Sequence, residues 1–162
     1  MTDEIDSDAN NTHELTAEVA RALIARGWRL TTAESCTGGN LAAALCAQAD
    51  TAAFYDTGVV TFSDEAKRNV LQVRAETLAV HSAVSETCVQ EMSSGILALA
   101  GADIAIAVSG YGRTGGRGKM VPPPARYGLP GIFAARLKPN GCALPATVRP
   151  WWRKRYDMPW RR

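Results

Sequence analysis

The sequence predicts an α/β fold, with helices layered on a largely parallel or mixed sheet. Three observations carry this. Segments of strand character alternate with segments of helical periodicity. A strand runs into a glycine turn and a helix within Trp28–Ala47. Ile104–Val108, read I-A-I-A-V, is a short apolar run of the kind buried on both faces of a parallel sheet.

Residues 1–12 are acidic and polar, too poor in apolar groups to offset their ordering entropy, and read as a disordered leader. Structure is expected to begin near His13. Leu15, Val19, Leu23 and Ile24 recur at helical spacing through Glu14–Arg26, and Gly27 is the expected stop. Trp28–Ala33 follows as a strand, then Ser35-Cys36-Thr37-Gly38-Gly39 and an alanine-rich helix over Asn40–Ala47. Tyr55–Phe62 is a second strand. Ser63 or Asp64 caps a short helix carrying Lys67, Val70 and Leu71. A longer helix is expected from Ser85 to about Ala100, before the Ile104–Val108 strand and the turn Ser109-Gly110-Tyr111-Gly112.

Beyond Gly112 the composition changes abruptly. Residues 1–110 hold 6 Lys/Arg against 15 Asp/Glu, a net of −9, whereas residues 111–162 hold 12 against 1, a net of +11. All 8 prolines lie from Pro122 onward, and Trp151, Trp152 and Trp160 crowd the end. One domain rarely shifts so sharply, so the chain divides into the leader 1–12, a domain over 13–112 and a tail over 113–162 that has no periodicity to specify helix or strand. A tail rich in basic residues, Trp and Tyr also has the composition of a nucleic-acid-binding extension. Clusters of this kind commonly reflect no more than nonspecific attraction, and a nucleic-acid partner is not expected.

No apolar run approaches the roughly 20 residues a membrane span requires, and the start has neither a cationic nor an apolar signal region. The expectation is a soluble cytoplasmic protein with no membrane partner. Cys36, Cys46, Cys88 and Cys142 lack C-x-x-C spacing and are too sparse for a disulfide framework, so they read as small packed thiols and no metal is expected. His13 and His81 have no second ligand at metal spacing and read as surface or capping residues.

Chemistry in such folds gathers where strands end and helices begin, which selects the loops 34–39, 61–67 and 109–112. Ser35 precedes a glycine pair whose amides, backed by a helix N-terminus, suit a phosphate or a developing oxyanion. The same S-x-x-G-G text also serves an ordinary serine-capped turn. Lys67 lies at the start of its helix, where the positive end of the macrodipole pushes an ammonium pKa downward and makes a neutral amine available as a general base. The plainer reading is a solvated lysine pairing loosely with Asp64 or Glu65. Cys36 shares the helix N-terminus that lowers thiol pKa values, although packing is its simpler role.

T-A-E-S-C-T-G-G at Thr32–Gly39, G-V-V-T-F-S-D-E-A-K at Gly58–Lys67, H-S-A-V-S-E at His81–Glu86 and A-V-S-G at Ala107–Gly110 together resemble the CinA C-terminal family of nicotinamide-nucleotide amidohydrolases. The resemblance covers about residues 14–112, in order. It implies a three-layer α/β/α sandwich and hydrolysis of nicotinamide mononucleotide to nicotinate mononucleotide and ammonia, in pyridine nucleotide salvage. It implies Ser35 as nucleophile, Lys67 as its activating base, and Thr37, Gly38, Gly39, Thr61, Ser109 and Gly110 as substrate-binding residues. No cofactor is expected, the partner is a small nucleotide, and association into a homo-oligomer is left open.

Two departures stand out. Active members of the family usually carry tyrosine five residues before the lysine, where this chain has Phe62, and loss of one acid/base participant typically costs about 10²–10⁴ in rate. A nucleotide-binding relative without catalysis is therefore the second expectation. The other departure is the tail. If each codon is regrouped as its third base plus the first two of the next, permitted codons from Gly112 onward read P-D-G-G-E-G-K-D-G-T-P-A-G-T-V-W-F-A-W-H, which resembles the absent family segment. Ala143–Arg161 regroups to an amphipathic helix resembling the family's last. The expectation is that residues 113–162 are translated out of frame and leave the sandwich incomplete after Gly112.

Overall fold

The computed structural model describes residues 3–110 and 131–137, with side chains for 10–110. Helix α1 (Asp3–Ile24) leads into β1 (Leu30–Glu34) and α2 (Asn40–Cys46). A 3₁₀ turn at Thr51–Ala53 precedes β2 (Tyr55–Val60), followed by α3 (Asp64–Leu71), α4 (Ala75–His81), α5 (Glu86–Ala100), β3 (Ile104–Gly110) and β4 (Gly131–Leu137). The sheet has the order β2-β1-β3-β4. β1 is parallel to both β2 and β3, and β4 runs antiparallel to β3. This is the α/β fold that the alternation of elements predicts.

Two cores lie on opposite faces of the sheet, because side chains alternate along each strand. Ala20 and Leu23 of α1, Leu45 of α2 and Phe54 pack with Leu30 and Ile104 on one face. Cys88, Val89, Met92 and Ile96 of α5 pack with Leu71, Ala33, Ala105 and Ala107 on the other. β1 is buried at every position, as a central strand covered on both sides must be.

The differences from sequence expectation have local causes. α1 begins at Asp3 rather than near His13. Asn10–Glu14 are exposed, so this first stretch is a helical continuation into solvent. β1 starts two residues later than expected, because Arg29 is used to tie the strand entries together. Its amide donates to Asp103 Oδ2 and its carbonyl accepts from Asp103 and Ile104.

Helix α4 was not expected, since its seven residues have no side-chain cap at Arg74. It is held from outside: Glu91 of α5 accepts from the Arg74 amide at 2.9 Å, from Arg74 Nε at 2.7 Å and from Thr77 Oγ1 at 2.8 Å. The tail, expected to specify no strand, contributes β4. Gly131–Leu137 includes the β-formers Ile132 and Phe133 and meets the open edge of β3, whose backbone groups template pairing from Ile104↔Leu137 to Gly110↔Gly131. Otherwise the regrouped segment from Gly112 and the helix proposed over Ala143–Arg161 lie outside the described residues, as does Cys142.

Helix α3 approaches α5 at Gly95. A methyl group there would overlap the Leu71 carbonyl oxygen and stand 2.7 Å from its carbon, contacts that backbone atoms cannot relieve. Gly95→Ala should therefore destabilise the fold by about 1–3 kcal/mol through overpacking, seen as a lower denaturant midpoint in chemical unfolding. An unchanged midpoint would mean that α3 and α5 separate freely.

Candidate active site

The catalytic candidates converge at the carboxyl ends of β1, β2 and β3. Ser35 follows β1 directly and is 5% exposed, with its amide fixed to Val108 O at 3.0 Å. Lys67 comes from the start of α3, which Ser63 caps by accepting from the Ala66 amide at 3.1 Å. The lysine points inward and is 1% exposed. Its Nζ donates to Ser35 Oγ at 3.0 Å, to Thr61 O at 2.8 Å and to Phe62 O at 3.1 Å.

This arrangement overturns the plain reading of Lys67 as a solvated partner of Asp64 or Glu65. Among the described residues no carboxylate bonds to the amine. Its pKa is lowered, and the leading cause is burial. Charge interactions with Cys88, Asp64 and Cys36 oppose the shift without cancelling it. Two carbonyls fix two of the amine's hydrogens, so the neutral form presents its remaining valence to the serine hydroxyl.

Of the expected substrate-binding residues, Thr37, Gly38 and Gly39 share the turn after Ser35, and Thr61 sits beside it. Gly38 and Gly39 have φ values of 61° and 98°, which glycine adopts without strain. Their amides are already engaged, Gly38 with Ser35 O at 3.1 Å and Gly39 with Glu34 Oε2 at 3.1 Å. Thr61 continues the strand ladder by donating its amide to Glu34 O at 2.8 Å. The buried hydroxyls of Thr37 and Thr61 have no hydrogen-bond partner among the described residues. Ser109 is 1% exposed and gives its hydroxyl to Ala83 O at 2.8 Å, tying the 81–85 loop to the end of β3. Gly110 ends β3 alongside it.

Cys36 is only partly buried, and its thiol pKa is raised by burial against the opposing pull of the Cys36 and Thr37 amides and Lys67. The lowered pKa that its place at a helix start suggested is not found. His13 and His81 are exposed, and no group of metal-binding residues occurs among the described residues.

Sequence reasoning missed Glu34. It is fully buried and accepts from the amides of Gly39 at 3.1 Å, Leu41 at 3.1 Å and Ala42 at 2.8 Å. The available signal was an acidic residue closing an otherwise uncharged strand directly before a glycine turn. The backbone carbonyls of Thr61 and Phe62 were also missed, since no side-chain pattern marks them.

A serine and a buried, uncompensated lysine at the strand ends of an α/β sheet define the class of site. The particular family follows from similarity. Residues 12–123 match the model of the CinA C-terminal domain, and the chain belongs to that family. It is 50% identical over 105 residues to Protein YdeJ of Escherichia coli K12, covering 65% of this chain and 61% of that protein. It is equally identical over 98 residues to the nicotinamide-nucleotide amidohydrolase PncC of Enterobacter agglomerans, covering 60% of each. The match thus spans about three-fifths of these curated relatives. A crystal structure of the competence damage-inducible protein A from Klebsiella pneumoniae is 95% identical over 65% of this chain and 66% of its own, with a TM-score of 0.62. A CinA superfamily structure from Escherichia coli reaches a TM-score of 0.67 at 45% identity, over 78% of this chain and 71% of its own.

No helix among the described residues is long and apolar enough to cross a membrane.

The lowered Lys67 pKa has a signed consequence for stability. Between its native value and about 10.4, the unfolded chain binds a proton that the folded chain does not, so Lys67 makes stability rise with pH in that window. Lys67→Met should remove this contribution. Subtracting its unfolding free energies from those of the parent across pH 7–10 should give a difference rising with pH, whereas a flat difference would contradict a depressed lysine.

Proposed function

We propose that the domain hydrolyses the carboxamide of nicotinamide mononucleotide, giving nicotinate mononucleotide and ammonia, through Ser35 activated by Lys67. The observation that carries the reading is the 3.0 Å contact between Lys67 Nζ and Ser35 Oγ at a buried amine that no carboxylate among the described residues reaches. Relatives named as nicotinamide-nucleotide amidohydrolases support the substrate.

Neutral Lys67 removes the Ser35 hydroxyl proton as Oγ attacks the amide carbon. The tetrahedral intermediate places negative charge on the former carbonyl oxygen, near the 35–39 turn. Lys67 returns the proton to the departing nitrogen, ammonia leaves, and water releases the acid from the acyl-serine with Lys67 again as base. The free hydroxyls of Thr37 and Thr61 supply hydrogen bonds to the substrate. The Phe62 ring is 61% exposed at the site's margin and has no hydroxyl to donate.

The reading for residues 113–162 is that they are out of frame, and that activity belongs to the chain with its frame restored. The charge reversal after residue 110 supports this, as does a relative 95% identical over only 65% of the chain. A nucleotide read across codons 105–125 tests the frame directly. The restored chain should release ammonia from nicotinamide mononucleotide, and the chain as written should release none. Equal activity in both would refute the frame assignment.

Phe62 favours a second reading, a family member that binds the nucleotide without hydrolysing it. The restored chain separates the two. Ser35→Ala should lower the rate to background while leaving nucleotide binding, and Phe62→Tyr should raise kcat if the missing hydroxyl limits turnover. Activity undiminished in Ser35→Ala would exclude the serine mechanism.

A further inference from the structure

Glu34 is the carboxylate nearest in sequence to the nucleophile, and its environment is unusual. It is 0% exposed, and α2 has no N-cap side chain of its own, because Gly39 occupies that position. The cap is delivered instead from five residues upstream. The Glu34 side chain reaches past Ser35–Gly38 to the amides of Gly39, Leu41 and Ala42. Backbone bonds fix the rest of the ring: Ser35 N to Val108 O, Gly38 N to Ser35 O and Asn40 N to Thr37 O. The 35–38 turn is thereby closed between its own strand and the helix that follows it.

Two consequences follow for the proposed hydrolysis. The positive end of α2, the expected place for a phosphate or oxyanion, is already filled by a carboxylate. A substrate anion entering there would meet a like charge and no free amide among Gly39, Leu41 and Ala42. Within Ser35–Gly39 the amides of Ser35, Gly38 and Gly39 all have oxygen acceptors. Those of Cys36 and Thr37 have no oxygen acceptor among the described residues. An oxygen anion competes well for such donors.

We propose that Glu34 is a positioning residue. By taking the α2 amides it sets the curvature of the 35–38 turn, holding Ser35 Oγ against Lys67 and leaving the Cys36 and Thr37 amides as the donors to the oxyanion. This inference rests on the serine–lysine reading of the site.

The test uses Glu34→Gln and Glu34→Asp in the frame-restored full-length chain. The readouts are steady-state hydrolysis of nicotinamide mononucleotide, thermal melting, and labelling of Ser35 by a fluorophosphonate read by intact mass. Glutamine keeps the volume but turns an NH₂ group toward amides that need an acceptor, and aspartate keeps the charge on a shorter reach. Glu34→Gln should lower kcat per folded molecule and the labelling rate at least tenfold with KM within about threefold, and Glu34→Asp should recover part of both. Full kcat in folded Glu34→Gln, or a loss confined to KM, would overturn the proposal.

Amide hydrogen exchange on the unmutated chain supplies an independent readout should Glu34→Gln not fold. Gly39, Leu41 and Ala42 should be protected while Cys36 and Thr37 exchange rapidly, and the opposite order would overturn the assignment. Failure of the serine–lysine reading has a different signature: the parent chain itself neither hydrolyses the nucleotide nor labels at Ser35, yet its exchange pattern still reports on Glu34.

Discussion

The candidate site depends on one constraint, a lysine amine held out of water with no counter-ion bonded to it among the described residues. Removing an ammonium from water disfavours its charged form, and a neighbouring carboxylate would reverse that effect. Lys67 has no such neighbour within hydrogen-bonding distance. Its hydrogens go to the Thr61 and Phe62 carbonyls and to Ser35 Oγ. Neutral acceptors satisfy the N–H groups with less bias toward the charged form than a carboxylate would give. The geometry requires α3 to begin immediately after β2, so that the lysine folds back onto the strand end it has just left. Ser63 enforces that start, and Gly95 lets α3 settle against α5 closely enough to keep the amine buried.

Glu34 and Lys67 both flank Ser35, yet neither neutralises the other. Glu34 spends its oxygens on the first turn of α2, and Lys67 spends its hydrogens on the β2–α3 connection. Parallel strand pairing keeps these commitments apart. The amide of Thr61 bonds to Glu34 O, so the backbone rather than the side chain of Glu34 faces the lysine's anchoring segment. Had the two side chains met, the lysine would be held protonated and lost as a base, and α2 would lack its cap. Separation of the charges is therefore as much a requirement of the proposed chemistry as the contact between Lys67 and Ser35.

Elements whose signals are local were legible in the sequence. I-A-I-A-V specifies β3 without outside help, and the Ser63 and Ser85 caps place the starts of α3 and α5. Ser35 and Lys67 were legible through their loops and the family resemblance, but the cause of the lysine's shifted pKa was not, because burial depends on how α3 packs. Helix α4 escaped for a related reason, as its start is stabilised by Glu91 from a different helix. Glu34 was hidden by its own success: a carboxylate bonded only to backbone amides leaves no partner residue for a sequence pattern to reveal.

The nucleotide substrate proposed above would set a further demand on the chain beyond Gly110. With α2's first turn taken by Glu34, the usual backbone solution for a phosphate is closed at this site. Among the described residues, Lys67 is the only cationic side chain hydrogen-bonded to the Ser35 turn, and its hydrogens go to Ser35 Oγ and to the Thr61 and Phe62 carbonyls. The proposed phosphate ester would therefore need donors from elsewhere, and the carboxyl end of β3 lies beside Ser35, because Val108 O holds the Ser35 amide. Residues following Gly110 are the nearest source in sequence. A frame error just beyond that point would consequently spare the serine and its lysine while removing the means of holding the substrate over them. The two losses are separable in principle, since an intact serine–lysine pair accelerates nothing that it cannot position.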